Sequence, residues 1–469
     1  MGLSGPGQDT FGWFEVDTVI LVGPTAPGSQ TCLAWNCSLL GTARIAGLSM
    51  KGVAMKLPRP RGPLSSAVFE RMLGSRDAES APLRVDASWP DPIEDADLQV
   101  TLWALYELHY RSFEDVDEAW EWCPELLAVR EQLEAQFERA LRDEVRSHVD
   151  TVVGATGDLA DRLFALTDSF EGPSLAEHIE RHATREQVRE FLLHKSIYQL
   201  KEADPHTWVV PRLEPDIKAH LVELQFDEYG DGQPARVHQT LYARTLAGAG
   251  LDATYGAYVD AVPAIILALS NAMSLFGLHR RLRAAALGHL GAVEATSSIP
   301  CRRYAAGIRR TGFSDDVAFF FDEHVEADAV HEQLALRGIC AELVKAAPDL
   351  EADVVFGASA CLALDARFAT RLLNAWHNQD HVTPPPPYDA QVPALTAVAR
   401  EPHDAHVVEA TLCAGGPMLL RGATHVIDDD GSRHEVERPV VAVCRCGKST
   451  RIPWCDGTHK LLRPREETR

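Results

Sequence analysis

Apolar residues recur at helical spacing through most of the chain. Between positions 97 and 113 the leucines fall every three or four residues and therefore share one helix face, at Leu98, Leu102, Leu105 and Leu108. Comparable runs predict further helices at 124–146, 174–203, 214–228, 236–249, 252–278, 279–296, 303–311, 314–337 and 351–376. The pattern from about 59 to 380 is typical of a helical bundle, so we predict a mainly α fold.

The pattern changes at four consecutive prolines, 384–387, which cannot continue a helix and favour an extended spacer. Beyond about 405, short β-prone runs at 417–420, 423–427 and 439–443 are separated by turns that contain glycine and aspartate. We therefore predict a helical domain at 55–380, a proline-rich linker at 381–404 and a small β-rich domain at 405–469.

Residues 1–54 show no sustained helical or strand period and are rich in glycine, serine and threonine. Two interpretations stay open. Either the segment is a flexible extension, or translation starts at Met55 and the first 54 residues are not made.

Charge and composition narrow the classes of partner. The 469 residues include 68 acidic and 45 basic side chains, which give a formal net charge of -23. Such a surface repels phosphate backbones and anionic membranes, so we expect no nucleic-acid partner and no membrane partner. The apolar run 261–278 contains a proline and several polar residues and is interpreted as a buried helix. Ten cysteines are too few for a disulfide scaffold, and no secretory signal is recognisable, which indicates a reduced, cytoplasmic protein.

Three cysteines and one histidine cluster near the C-terminus. Cys444, Cys446 and Cys455 fall within twelve residues, and His459 follows four positions later. Three thiolates and one imidazole form a complete ligand set for a metal ion or an iron–sulfur cluster. A four-ligand zinc site is the competing interpretation, although zinc sites more often contain two C-x-x-C pairs, which this segment lacks.

The residues around this cluster resemble the CDGSH iron–sulfur family. The matching positions are Cys444-Arg445-Cys446, Ser449, Pro453 and Cys455-Asp456-Gly457-Thr458-His459, with Thr458 in place of serine. The resemblance covers about 405–469 and implies one [2Fe–2S] cluster held by Cys444, Cys446, Cys455 and His459. A neutral imidazole in place of a thiolate raises the reduction potential of such a cluster. Members of the family often pair as homodimers, and a single motif leaves pairing open here.

A second metal-binding pattern lies in the helical part. Within the run 321–331, the side chains of His324, Asp328 and His331 fall within about 60° of one helix face. Two imidazoles and a carboxylate that converge in this way suit iron. A solvated acidic helix with incidental histidines is the alternative interpretation.

Further carboxylates and an imidazole occur upstream. Glu228 and His238 flank the segment 230–234, whose glycines and proline require a break between two helices. Glu202 ends another predicted helix. Glu294 stands in an otherwise apolar stretch, where a buried carboxylate needs a partner such as a metal ion. Five other residues are interpreted as core or supporting residues: Glu107, His109, His194, His206 and His289.

Together these residues resemble the haem-oxygenase-like diiron oxidases, a group also described as iron-containing redox enzymes. The resemblance covers about 60–380 and implies two non-haem iron ions held by Glu202, Glu228, His238, Glu294, His324, Asp328 and His331. Some members N-oxygenate amines or guanidines, and others cleave C–C bonds of amino or fatty acids. Seven candidate ligands, rather than six, match the N-oxygenating branch better.

These observations leave three functional hypotheses. The first is an O₂-dependent enzyme that N-oxygenates a small amine, amino acid or guanidine, with the iron–sulfur domain as built-in electron donor and a reductase as electron source. The second is oxidative C–C cleavage of an amino or fatty acid, in which the substrate itself supplies electrons. The third is a non-enzymatic iron–sulfur electron-transfer or redox-sensing protein.

The charge distribution also bears on the first hypothesis. From Arg438 to the C-terminus the chain carries eight basic and three acidic side chains, whereas the whole chain is strongly acidic. This asymmetry favours docking of the small domain on the acidic helical domain.

Overall fold

The computed structural model describes residues 55–76, 81–85, 88–386, 408–428 and 432–462. The predicted extension 1–54 and most of the predicted linker, 387–404, lie outside the described residues. The described part is mainly helical, with small antiparallel sheets near the C-terminus, which confirms the predicted fold class.

Helices make up the structure from residue 63 to residue 377. They are α1 (Pro63–Leu73), α2 (Ala96–Glu107), α3 (Pro124–Gly154), α4 (Leu159–Ser169), α5 (Leu175–Arg181), α6 (Arg185–Gln199), α7 (Asp204–Thr207), α8 (Pro215–Glu228), α9 (His238–Gly248), α10 (Ala264–Leu278), α11 (Arg283–Arg310), α12 (Asp315–Gln333), α13 (Glu342–Ala346) and α14 (Glu351–His377). A π-helical segment, Leu334–Ala341, joins α12 to α13. Short 3₁₀ turns occur at Glu118–Trp122, Val210–Arg212, Gly230–Gly232, Arg280–Leu282, Pro348–Leu350 and Thr458–Leu462.

Local sequence signals start many of these helices. The Asp95 carboxylate accepts a hydrogen bond of 2.8 Å from the backbone N–H of Leu98 and so caps α2. Thr184 and Gln187 form a capping box at the start of α6. Helices α1, α3 and α8 each begin with a proline, which lacks the N–H that the first helical turn would leave unpaired.

Several helix boundaries differ from the predicted ones. The predicted helix 174–203 is two helices, because the capping box at Thr184 starts α6 after α5 has ended. The predicted helix 252–278 begins only at Ala264, because Pro263 takes the N-cap position. The predicted helices 279–296 and 303–311 are one helix, α11, which continues through Pro300. Helices α1 and α4 were not predicted individually.

Helix α11 is central to the bundle and packs against α12 and α14. Two glycines allow the close approach of α11 and α14. A Cβ atom on Gly288 would lie 1.9 Å from the carbonyl oxygen of Val354, and one on Gly357 would lie 1.9 Å from that of Ala285. Nearly every residue of α10 is buried, as predicted for the apolar run. None of the helices in the described part of the chain combines the length and apolar character needed to cross a bilayer.

The C-terminal part is built from short strands. They are β1 (Glu409–Leu412), β2 (Met418–Arg421), β3 (His425–Ile427), β4 (Arg433–Glu435) and β5 (Val440–Val443). Antiparallel pairing gives a three-stranded sheet in the order β1-β2-β5 and a two-stranded sheet of β3 and β4. Strands β2, β3 and β5 were predicted to within one or two residues, whereas β1 and β4 were not, because their residues are mostly exposed and lack an apolar run.

Candidate metal centres

Seven predicted ligands come from five places in the helical part. Glu202 follows α6, Glu228 ends α8, His238 begins α9, Glu294 lies in α11, and α12 carries His324, Asp328 and His331. All seven are at least nine-tenths buried. Their metal-binding atoms form two groups, each with every separation below 4.8 Å: Glu202, Glu228, His238 and His324 in one, and Glu228, Glu294 and His331 in the other.

Glu228 is the member that the two groups share. Its Oε2 lies 2.7 Å from Nδ1 of His238, and its Oε1 lies 3.2 Å from Nδ1 of His331. The two oxygens of one carboxylate therefore face different groups. The remaining separations are 3.6 Å from Glu202 Oε1 to His324 Nε2 and 3.3 Å from Glu294 Oε2 to His331 Nδ1.

Asp328 is the one predicted ligand outside both groups. Its Oδ1 lies 3.8 Å from His331 Nδ1, and neither of its oxygens has a hydrogen-bond partner among the described residues. Burial raises the pKa of this carboxyl well above its usual range, and the nearby Glu294 adds to the effect. Asp328 thus faces the other donors as a buried carboxylate that nothing else in the described structure satisfies.

The break between α8 and α9 brings Glu228 and His238 together. Gly230 has a φ of +68°, and a Cβ atom there would lie 2.5 Å from the backbone of Arg236. Only glycine fits this turn without strain, because it has no Cβ atom. The sequence predicted a break between the two helices, and the structure shows that it brings the end of α8 to the start of α9.

Hydrogen bonds fix the orientation of two of the histidine rings. Nδ1 of His324 lies 2.7 Å from the carbonyl oxygen of Phe320, to which it donates, and Nε2 faces Glu202. Nε2 of His331 lies 3.0 Å from Oδ2 of Asp227, and Nδ1 faces Glu228 and Glu294. Each ring therefore presents one nitrogen to the carboxylates, while the other nitrogen is held by an outer partner, as is usual for metal-binding histidines.

Asp227 and Arg438 were not singled out from the sequence. Arg438 belongs to the C-terminal part, is 3 % exposed, and donates to both oxygens of Asp227 at 2.9 and 2.8 Å. Burial alone would raise the pKa of Asp227, but the Arg438 guanidinium and His331 hold it well below its usual range. Asp227 directly precedes the candidate ligand Glu228 in the sequence, and this position could have identified it as a residue of the site. No local pattern reveals Arg438, because its partner is 211 residues away.

Many donor atoms of this centre lie close to one another, yet they form no hydrogen bond of good geometry with any described residue. They are Nδ1 of His238 and His331, Nε2 of His324, Oε2 of Glu202 and Glu228, and both oxygens of Asp328. Leaving a buried polar atom unpaired costs about 1–3 kcal/mol, so seven in one place call for a common partner. Burial would lower the pKa of His324, yet the Glu202 carboxylate raises it to about 10, which reflects the excess of negative charge. These atoms suit bound cations.

The C-terminal cysteines and histidine form two pairs. Sγ of Cys444 lies 3.6 Å from Sγ of Cys446, and Sγ of Cys455 lies 3.4 Å from Nδ1 of His459. Backbone hydrogen bonds of 2.7 Å, from Cys444 N–H to Pro453 and from Cys455 N–H to Ala442, align the strand end with the following loop. The pairs are thereby held on neighbouring segments.

The loop 455–459 is stabilised by Asp456. Its carboxylate accepts hydrogen bonds from the N–H and hydroxyl of Thr450 and from the N–H of Thr458. Burial alone would raise the pKa of Asp456, but these bonds hold it well below its usual range. Gly457 has a φ of +76°, and a Cβ atom there would lie 3.2 Å from Ser298 in α11.

This loop packs directly against the helical part. Oε1 of Glu332 lies 3.6 Å from Nε2 of His459, and Lys460 forms an ion pair with the same carboxylate. Arg302 in α11 donates to Asp456 at 2.7 Å. Glu332 directly follows His331 in α12, so adjacent residues of one helix contact the two candidate centres.

An apolar core reinforces this contact. Its members come from α12 and the π-helical segment on one side and from the strands and loops on the other: Ala329, Val330, Leu334, Cys413, Leu419, Val440, Ala442 and Cys455. The ion pairs between basic residues of the C-terminal part and acidic residues of the bundle have the polarity that the sequence predicts.

Two family models match this chain. Residues 189–366 match the model described as iron-containing redox enzyme, and residues 415–460 match the model described as iron-binding zinc finger of CDGSH type. The chain joins a haem-oxygenase-like domain to a CDGSH domain. The two matches lie in the order that was predicted from the sequence, and they support an oxidoreductase that contains iron.

One curated relative adds to these matches. The nitrosourea synthase of Streptomyces achromogenes subsp. streptozoticus is 30 % identical over 151 residues. This stretch is 32 % of the present chain and 32 % of the relative, so the chain matches about a third of the relative's length.

A cavity of about 440 Å³ in the haem-oxygenase-like domain opens onto the helical centre. Its lining includes Glu202, Glu228, Glu294, His324 and Asp328, together with apolar side chains such as Phe320, Phe321 and Met273. It also includes the partly exposed pair Lys195 and Asp365, whose charged atoms are 3.8 Å apart. The volume suits a small molecule beside the carboxylates.

Three of the residues that were interpreted as core or supporting residues lie outside the two donor groups. Glu107 accepts hydrogen bonds from Lys201 at 2.7 Å and from Tyr255 at 2.8 Å. Burial lowers the pKa of His206 to about 4 and that of His289 to about 3, so both rings are neutral at pH 7. Both line the cavity, but neither belongs to the two donor groups.

Proposed function

We propose that this protein is an O₂-dependent, non-haem diiron oxygenase that oxidises a nitrogen atom of a small amine, amino acid or guanidine. The CDGSH domain is proposed to carry a [2Fe–2S] cluster and to supply the electrons. The observation that carries the proposal is Glu228, a buried carboxylate whose two oxygens face two separate histidine-containing groups.

The donor set fits two iron ions. Glu202, His238 and His324 would hold one ion, and Glu294 and His331 would hold the other. Glu228 would bridge the two ions, and Asp328, beside His331, would complete the set. Four carboxylates balance the charge of two divalent cations, and mixed imidazole and carboxylate donors suit iron. When bound and reduced, the two irons would supply the electrons and the site at which O₂ is activated.

The CDGSH residues fit a two-iron cluster. A tetrahedral metal with metal–sulfur bonds of about 2.3 Å sets its ligand atoms about 3.8 Å apart. The separations of 3.6 Å in the Cys444–Cys446 pair and 3.4 Å in the Cys455–His459 pair are close to this value. Each pair would therefore hold one iron of a [2Fe–2S] cluster, with His459 bound through Nδ1.

Nitrogen oxidation is favoured over C–C cleavage by two observations. The curated relative is named a nitrosourea synthase, and a nitrosourea contains nitrogen bonded to oxygen. The seven candidate donors of the sequence match the N-oxygenating branch that it resembles; six of them form the two groups, and Asp328 lies beside them. Hydroxylation of an amine consumes one O₂, two electrons and two protons and releases one water. The electrons must come from outside the substrate, which gives the docked CDGSH domain a role.

The residues of the chain have defined tasks in this reaction. The apolar wall of the cavity, which includes Phe320 and Phe321, excludes water from the carboxylates. The Phe320 carbonyl and Asp227 each hold one histidine proton, so His324 and His331 keep their orientation throughout turnover. The contact between the CDGSH loop and α12 keeps the electron donor beside the centre that it serves.

The test uses the full chain loaded with Fe(II) under anaerobic conditions. O₂ uptake is measured with a chemical reductant over a panel of amines, amino acids and guanidines, and the products are identified by mass. We expect two helical-domain irons per chain and a substrate that gains one oxygen on nitrogen. A product shortened by loss of carbon would support oxidative C–C cleavage instead. No accelerated O₂ uptake over the panel, with no iron bound by the helical donors, would favour a non-enzymatic protein.

A further inference from the structure

One side chain of the CDGSH domain reaches into the helical domain as far as the metal centre. The guanidinium of Arg438 lies 2.7 Å from Oε2 of Glu323 and 2.8 Å from Oδ2 of Asp227. A third carboxylate, Glu326, lies 3.9 Å away. A buried guanidinium needs such complete pairing, because removing it from water is otherwise unfavourable.

Asp227 connects Arg438 to His331 of the helical metal centre. Its Oδ2, which accepts from Arg438, also lies 3.0 Å from Nε2 of His331. The other ring nitrogen of His331 faces Glu228 and Glu294. The arrangement is an arginine, a carboxylate and an imidazole in series, and the arginine is the only one of the three that lies outside the helical domain.

We propose that the CDGSH domain completes the helical metal centre: Arg438 is a positioning residue that fixes Asp227 and, through it, the orientation and tautomer of His331. This inference rests on the proposed function, because it takes His331 as a metal ligand. The CDGSH domain then has a structural task in addition to electron delivery. The position that His331 serves binds its ion tightly only while the two domains are docked.

The physical basis is the carboxylate partner of a metal-binding imidazole. Mutation of such an outer partner typically lowers metal affinity about 10–100-fold, because the ring loses its fixed orientation and part of its basicity. Without Arg438, Asp227 would lose its strongest cationic neighbour. The effect should fall on one of the two metal positions, since His238 and His324 belong to the other donor group.

A matched control exists in the same interface. Arg421 of β2 also crosses between the domains and bonds both oxygens of Glu223, at 2.5 and 3.2 Å. Glu223 is next to His220, at 3.7 Å, and belongs to neither donor group. Loss of Arg421 removes an interdomain ion pair, which is more exposed and involves a single carboxylate, without touching His331.

The experiment titrates Co(II) into full-length protein whose helical centre has been emptied by a chelator, with cluster absorption recorded throughout. Two variants, Arg438→Met and Arg421→Met, keep a long apolar stem and remove the charge. We expect Arg438→Met to weaken one of the two Co(II) sites about 10–100-fold and to leave the other unchanged. We expect Arg421→Met to leave both sites unchanged. The paramagnetically shifted, exchangeable imidazole N–H signal of His331 should be lost or displaced only in Arg438→Met.

The outcomes separate the inference from the proposed function. If the wild-type protein binds two Co(II) ions and Arg438→Met binds them equally well, the inference is overturned while the two-metal centre stands. Equal weakening in Arg421→Met would also overturn it, because docking in general would then be the cause. Fewer than two sites in the wild-type protein would overturn both. Should Arg438→Met fail to fold, Asp227→Asn keeps the side-chain volume and must show the same selective loss.

Discussion

His324 and His331 present different ring nitrogens to the carboxylates of the helical centre, because a different neighbour holds the other nitrogen of each ring. His324 is held by the carbonyl of Phe320 one turn earlier in α12, so its Nδ1 is occupied and its Nε2 is free to bind. His331 is held by Asp227 from α8, so the roles of its nitrogens are reversed. Residues on one helix face therefore belong to two different donor groups.

This difference leads to a prediction for single-site variants. His324→Ala should lose the iron of the group that contains Glu202 and His238, and iron per chain should fall from two to about one in the helical domain. The measurement is metal analysis after anaerobic loading, with the cluster iron counted separately. His289→Ala is the control, because His289 is buried in the same cavity wall but lies in neither donor group. Full occupancy in His324→Ala would refute the ligand assignment.

A second residue-scale prediction concerns the cluster. His459→Cys replaces a neutral ligand by a thiolate, and the added negative charge should lower the reduction potential by on the order of 100 mV. Redox titration of the visible absorption measures it. His434→Cys, at a partly exposed histidine bonded to Asp428, should leave the potential nearly unchanged. Zinc in place of iron, or an unaltered potential in His459→Cys, would contradict the proposed cluster.

The sequence could single out candidate ligands that follow a local rule and could not single out the residues around them that do not. His324, Asp328 and His331 were found from helical spacing, and the cysteines were found from a motif. That His324, Asp328 and His331 converge with Glu202 and Glu294 could be predicted only from the family resemblance. Arg438 and Glu332 were missed because their roles depend on the packing of one domain on another.

At the scale of elements, close packing of α11 on α14 places Glu294 in the centre of the bundle. Gly288 and Gly357 make this possible, since a side chain at either position would collide with backbone of the facing helix. The π-helical segment after α12 is a second such feature, and segments of this kind frequently occur at functional sites. Neither feature follows from hydrophobic periodicity, which describes one helix at a time.

The packing of α11 on α14 can be tested with alanine. Gly288→Ala and Gly357→Ala should each destabilise the domain by about 1–3 kcal/mol or more, because the facing backbone must move apart. Gly154→Ala, at the end of α3 with open space around it, is the control and should be neutral or slightly stabilising, since alanine favours helix. Chemical denaturation followed by circular dichroism measures the difference. Equal stability in all three variants would contradict the close approach.

The sequence predicted most helices but placed several ends incorrectly, for identifiable reasons. Periodicity continued across the junction of α5 and α6, where a capping box rather than an apolar interruption marks the boundary. The prediction divided 279–311 into two helices, whereas α11 continues through Pro300. The break after Glu228 was predicted correctly, because glycine and proline together exclude helix there.

At the scale of the whole molecule, the two domains share a buried interface that contains both an apolar core and ion pairs. The first residues of the predicted linker are also fixed, since Thr383 donates its N–H to Glu190 at 2.7 Å. Buried ion pairs are screened by salt much less than exposed ones, so this docking should persist at moderate ionic strength. An electron donor docked in the proposed way would not need to diffuse to the helical donor groups for each turnover.

The final prediction follows from that docking. Cys455→Ser removes a proposed cluster ligand, and steady-state turnover with a physiological reductase should fall by at least roughly tenfold, because a tethered donor acts at high effective concentration. A single turnover of chemically pre-reduced protein should survive, since the helical donors are untouched. Cys413→Ser, at a buried cysteine that belongs to the same apolar cluster as Cys455 but is not a proposed ligand, should turn over normally. Equal steady-state rates in Cys455→Ser and the intact protein would show that electrons reach the helical centre without the CDGSH domain.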